Sequence, residues 1–192
     1  MNPMIETIAK NHRHAVDGFL TQHGDTLVKL AERCAHAFEN KGKLLFCGNG
    51  GSACDAMHIA GEFVGRFVHD RRALPAMALS ADVGMMTAIA NDYSYDVIFS
   101  RQIEAFGNAG DVLIALSTSG RSPNVLKALA AGRQKGLTTV LFSGEKSLAE
   151  PPVDADFILV VPSLITAHVQ ESYMVGLHAL ATLIEARLFP EI

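Results

Sequence analysis

Apolar positions along the chain follow two different patterns. Ile5, Ile8, Val16, Phe19 and Leu20 roughly keep a helical period, as do Leu27, Leu30, Cys34 and Phe38. The spacing predicts two helices, over 4–20 and 25–40, with Gly42 closing the second. Beyond residue 42 the pattern changes to short unbroken apolar runs: KLLFC (43–47), PAMAL (75–79), DVLIAL (111–116), TTVLF (138–142) and DFILVV (156–161). Helical stretches are expected between or after most of them, at about 52–67, 84–90, 122–135 and 165–188. Continuous hydrophobicity marks strands covered on both faces, and strands alternating with helices build a parallel sheet. The chain is therefore read as one domain over 1–192. It is a three-layer α/β/α sandwich with a five-stranded parallel sheet and two extra N-terminal helices.

Ligands of such sheets bind beyond the carboxyl ends of the strands. Two loops there suit an anion. STSGRSPN (117–124) offers four hydroxyls, on Ser117, Thr118, Ser119 and Ser122, before a helix N-terminus. Hydroxyls donate to phosphate oxygens, and unpaired N–H groups with the helix dipole favour negative charge. Helix capping by one of these serines is the plainer account. GNGGSACDA (48–56) satisfies G-x-G-x-x-[GA] after a strand, the spacing of a dinucleotide-binding turn. The acidic residue that such a turn requires, about 20 positions on at the end of the second strand, has Asp82 as its nearest candidate, roughly 30 positions from the glycines. A glycine turn needing positive φ explains the same residues.

Two helices carry polar residues at helical spacing. Asp55, His58, Glu62 and Arg66 share one face of the first. His and Glu at i, i+4 can share a metal or act as base and acid, and a solvated face with a surface ion pair gives the same spacing. The last helix holds Gln170, Glu171 and His178. Glu171 and His178 share a face, whereas Gln170 lies about 12 Å from His178 along the axis. His178 is either a hydrogen-bonded core histidine or an acid/base of near-neutral pKa. NDYSYD (91–96) is read as an irregular stretch in which Asn91 and Asp92 either shape a turn or bond sugar hydroxyls.

Composition narrows the classes. Sixteen Lys and Arg against 20 Asp and Glu leave a net charge of −4, which excludes a strongly basic nucleic-acid footprint across the whole chain. Charged residues are 19% of the chain, low enough to predict surface buried against further copies. No apolar run approaches the length of a membrane-spanning helix, and MNPMIETIAKNHRH has no secretory core. Three cysteines without framework spacing fit reduced thiols in a cytoplasm.

CGNGGSACDAMHIAGEFVGRF (47–67), MTAIANDYSYDVIF (86–99), LSTSGRSPNV (116–125) and the later Gln-Glu…His resemble the sedoheptulose 7-phosphate isomerases, or phosphoheptose isomerases, of the sugar isomerase (SIS) fold. The likeness runs along essentially the whole chain. It implies an aldose–ketose isomerase that makes D-glycero-D-manno-heptose 7-phosphate through an enediol, for a bacterial surface polysaccharide such as lipopolysaccharide. By the same resemblance, Glu62 and His178 are the catalytic pair. Asn49, Gly50, Gly51, Ser52, Arg66, Asn91, Asp92, Ser117, Thr118, Ser119, Ser122 and Gln170 contact the substrate. His58, Glu62, Gln170 and His178 match the ligands of one zinc ion per subunit. The resemblance further implies a cytoplasmic homotetramer with sites at subunit interfaces, residues 1–40 serving oligomerisation. Arg121 and His168 depart from the resembled pattern, which has Asn and Arg there. The alternative is a non-catalytic SIS-domain protein that binds sugar phosphate and the bacterial replication initiator.

Overall fold

The computed structural model describes residues 2–149 and 154–191. Its elements are α1 (Pro3–Glu39), β1 (Leu44–Gly48), α2 (Gly51–Val64), β2 (Ala76–Ala78), α3 (Val83–Asp92), α4 (Ser100–Phe106), β3 (Val112–Ser117), α5 (Pro123–Gln134), β4 (Thr138–Gly144), β5 (Phe157–Val161) and α6 (Thr166–Leu188). Every strand pairing is parallel, in the order β2-β1-β3-β4-β5. The central strands β1, β3 and β4 are buried along their whole length, as their unbroken apolar runs predict.

Alternate residues of the central strands enter two separate cores. Leu44, Phe46, Ile114, Leu116 and Phe142 pack under α1, α2 and α6. Leu45, Cys47, Leu113, Ala115 and Leu141 pack with Ile98, Ile103, Val125 and Leu129 on the opposite face. The chain leaves β1 towards β2, then returns past β1 to lay down β3. The switch point therefore lies between the carboxyl ends of β1 and β3, where GNGGS and STSGRS emerge.

Four expectations about elements are corrected. The two N-terminal helices are one helix of 37 residues. The gap expected between them holds Gly24, and a glycine in mid-helix costs about 1 kcal/mol. Burial of Phe19, Leu27 and Leu30, together with the bond between His23 Nε2 and the Val160 backbone, outweighs it. Gly42 does help to close this helix, donating to Ala37 O, but the left-handed position belongs to Lys41 at φ 63°. The helix after GNGGS ends at Val64 rather than 67, so Arg66 lies past its end. Asn91 and Asp92 form the last turn of α3 instead of an irregular stretch, and the short α4 was not foreseen because seven residues carry too little period.

Candidate active site

The two loops are tied together at the switch point. Asn49 Nδ2 donates to Asn124 Oδ1 at 2.8 Å, and Asn124 Nδ2 donates back to Asn49 Oδ1 at 2.9 Å. Tyr95 adds a hydroxyl to Asn49 Oδ1 at 3.0 Å. Gly50, at φ 56° and ψ −125°, starts α2 in a conformation that a side chain would strain. Neither Gly50 nor Ser122 caps its helix with a side chain, although Asn124 Oδ1 accepts from Val125 N at 2.9 Å in the first turn of α5. That answers the capping account of the serine loop. Ser122 stands at the cap position but its hydroxyl lies 3.2 Å from Ser117 Oγ rather than on the helix N–H groups. Ser119 Oγ accepts from Arg121 N, and Thr118 O accepts from Gly144 N. Gly120, at φ 66°, packs against Ser147.

Asp82, the acid named for a dinucleotide reading, is used otherwise: it caps α3 and accepts from Met85 N at 2.8 Å.

Helices α2 and α6 lie side by side and run the same way. Gly51 faces Gln170, whose amide leaves no room for a Cβ. Next, Ser52 Oγ lies 2.6 Å from the Tyr173 hydroxyl, which also donates to Asp55 Oδ2 at 3.1 Å. Burial raises the Asp55 carboxyl above its ordinary range, with the Tyr173 bond and His58 opposing, and burial raises the tyrosine hydroxyl as well.

Further along come His58, Glu62 and His178. His58 Nε2 lies 3.1 Å from Glu62 Oε1, and the His58 and His178 rings meet edge-on at 5.2 Å. The face of His178 stacks on Phe67 at 5.5 Å and 15°. One ligand atom from each of the three residues falls within 4.8 Å of the others. Burial lowers the His178 pKa below 6.5, reinforced by His58 and opposed by Glu62. His178 is therefore an unprotonated imidazole at neutral pH, able to accept a proton or to bind a cation.

Below this cluster, Arg71 and Glu185 form a buried ion pair at 2.8 Å. Arg71 also donates to the carbonyls of Glu62 and Phe63 at the end of α2, and Glu185 accepts from the N–H groups of Phe67 and Val68. The pair holds the backbone that carries Glu62 and Phe67. Sequence reasoning missed Arg71, Glu185, Tyr173, Asn124 and Phe67. Only Asn124 carried a local signal, as the last residue of the serine loop.

The structure brings Glu62 and His178 together with His58, although 120 positions separate His58 from His178 in the chain. It keeps Gln170 with the glycine turn instead, two helical turns from His178. Asn91 and Asp92 are exposed, Asn91 donating to Asp92 at 2.9 Å. Arg66 is exposed beyond α2.

A parallel sheet of this order, two helix N-termini at its switch point and a carboxylate–imidazole cluster define a sugar-phosphate isomerase type of α/β domain. The SIS domain family model matches residues 9–144. Phosphoheptose isomerase of Burkholderia pseudomallei is 49% identical over 164 residues, 85% of this chain and 83% of that protein. Phosphoheptose isomerase of Clostridium acetobutylicum is 43% identical over 193 residues, covering 100% and 98%. The structure of phosphoheptose isomerase from Neisseria gonorrhoeae superposes with a TM-score of 0.87 at 36% identity, covering 95% of this chain and 97% of that one. The chain belongs to the phosphoheptose isomerases of the SIS domain family.

Proposed function

We propose that the chain isomerises sedoheptulose 7-phosphate to D-glycero-D-manno-heptose 7-phosphate, a cytoplasmic step towards a bacterial surface polysaccharide. The observation that carries this reading is the convergence of Glu62 with a neutral His178 in a molecule that also has a hydroxyl-rich loop at the switch point. Glu62 takes the proton from the carbon beside the carbonyl, and His178 moves protons on oxygen, so that the enediol forms and collapses with the carbonyl shifted by one carbon. Ser117, Thr118, Ser119 and Ser122 hold the phosphate, and Asn49, Gly50, Gly51, Ser52 and Gln170 line the sugar. Arg66, Asn91 and Asp92 complete the contacts. Binding energy from the remote phosphate orients the reacting end.

His58, Glu62 and His178 are a two-imidazole, one-carboxylate set of the kind that holds zinc with a position left open. Zinc bound there supplies Lewis-acid polarisation of the sugar carbonyl. Gln170 serves as a further ligand only if it comes from another subunit.

Distance favours a site shared between chains. The glycine turn is tied to the phosphate loop by the Asn49–Asn124 bonds, and its Ser52 lies ten residues before Glu62 on α2, about 15 Å along the axis. Seven bonds separate the carbonyl carbon from the phosphorus of the extended heptose phosphate, about 9 Å end to end at ~1.3 Å of projected length per bond. The loop of one subunit and the cluster of its neighbour together make the site in a homotetramer. The exposed Met4, Ile5 and Ile8 of α1 support a role for residues 1–40 in that assembly. The non-catalytic alternative is not favoured, because both members of the acid/base pair are present.

The test is incubation with sedoheptulose 7-phosphate, followed by NMR of the products. Wild type is expected to make the aldose, and turnover unchanged in both Glu62→Gln and His178→Ala refutes the assignment. Mixing Glu62→Gln with Ser122→Ala subunits, assayed well below the KM of wild type, where each variant alone is weak, tests the shared site. Random assembly pairs an intact loop with an intact cluster in about a quarter of sites, and no recovery of activity means that each chain works alone.

A further inference from the structure

A second cluster with the same donor types lies at the start of α6, two helical turns from His178 and flanking Gln170 in the chain. His12 of α1 places Nδ1 2.8 Å from Glu171 Oε2, and His168 places its Nδ1 3.3 Å from the same oxygen. The two rings meet edge-on at 6.2 Å. One ligand atom from each residue falls within 4.8 Å of the others. The His168 side chain is only 6% exposed, whereas those of His12 and Glu171 are 38% and 51% exposed. A buried imidazole and a half-exposed one thus point the same ring nitrogen at a single carboxylate oxygen.

We propose that His12, His168 and Glu171 form a second binding site for a divalent transition-metal ion, which clasps the first turns of α1 to the start of α6. Two imidazoles and a carboxylate are a donor set for zinc. Ligands at about 2.0–2.1 Å from a tetrahedral ion stand about 3.3 Å apart. His168 and Glu171 already have that spacing, and His12 must withdraw by about half an ångström. Binding exchanges the Nδ1 protons that now bridge to Glu171 for the ion, and releases them to solvent. A shallow cavity of about 340 Å³, rimmed by Ile5, Ile8, Ala9 and Arg13, borders His12 and Glu171. Arg13 is the charge on that rim opposing a cation, so binding relies on the imidazoles more than on the local field. The ion is a structural clasp between two helices, not a reagent.

The experiment loads the full-length protein with zinc, removes loose ions by gel filtration and counts the remainder by mass spectrometry. His12→Gln, at a partly exposed helix position that should not disturb folding, is expected to hold one ion fewer per chain than wild type, whatever the other cluster holds. His168→Asn is expected to match it. In zinc-free buffer wild type and His12→Gln should melt together, and added zinc should raise the melting temperature further for wild type. Equal zinc content in wild type and His12→Gln overturns the proposal, as does a wild-type chain that retains no zinc.

Discussion

The two clusters on α6 share a donor set and differ in how they are built. His58, Glu62 and His178 stand on two parallel helices whose far ends are pinned by the buried Arg71–Glu185 pair. In the second cluster, both imidazoles bond the same Glu171 oxygen, Oε2. Burial alone would raise its pKa, but the bonds from His168 and His12 lower it. In the first, only His58 lies within hydrogen-bond distance of Glu62, and His178 faces Phe67 and the edge of His58. His178 makes no hydrogen bond to Glu62, which leaves both groups open to a substrate, whereas in the second cluster both imidazoles spend a ring nitrogen on Glu171 Oε2. Chemistry follows from what is left unbonded.

The sharpest way to break this contrast is Glu62→Gln, which removes a proton acceptor and keeps the shape. Turnover should fall ~10²–10⁴-fold, with thermal stability close to that of wild type. A comparable loss of stability instead of turnover would make Glu62 structural. Glu185→Ala strikes the support under the same cluster. It leaves Arg71 buried without its partner and should cost about 3–5 kcal/mol in urea unfolding. Ser122→Ala separates anchoring from chemistry. Loss of one hydrogen bond to a charged phosphate, at about 1.5–3 kcal/mol, should raise KM by about 10–100-fold and change kcat less.

The smallest effect concerns α1, the helix that carries His12. His23 accepts from Val160 N–H at 3.0 Å, and burial lowers its pKa below 6.5, against a raising effect of the Val160 backbone bond. The unfolded chain therefore binds the proton more readily. This stability is fully present above pH 6.5 and is lost as pH falls through the lower folded value. His23→Gln should flatten the dependence of the unfolding midpoint on pH in that window, and an unchanged slope would remove His23 from the account.

The sheet was legible because its signal is local. KLLFC, DVLIAL and TTVLF are apolar without interruption, which in a short run between turn residues leaves little but a doubly covered strand. The two loops were legible for the same reason, since strand, glycine or serine turn, and helix follow one another in the chain. The expected gap that holds Gly24 misled because local propensity is weak beside the packing of Phe19 and Leu30. Arg71 carried no pattern at all, since its partner lies 114 positions away.

By itself the sequence determined the α/β alternation, the faces of the helices and the placing of both anion-suited loops at the carboxyl edge, because periodicity and turn chemistry act over a few residues. Tertiary structure alone decided that Asn49 meets Asn124, that Ser52 meets Tyr173, that His58 and Glu62 meet His178, and that His12 meets Glu171. Those meetings depend on where the strand order 2-1-3-4-5 sets each helix down, and a crossover between strands leaves no mark on the local spacing of residues.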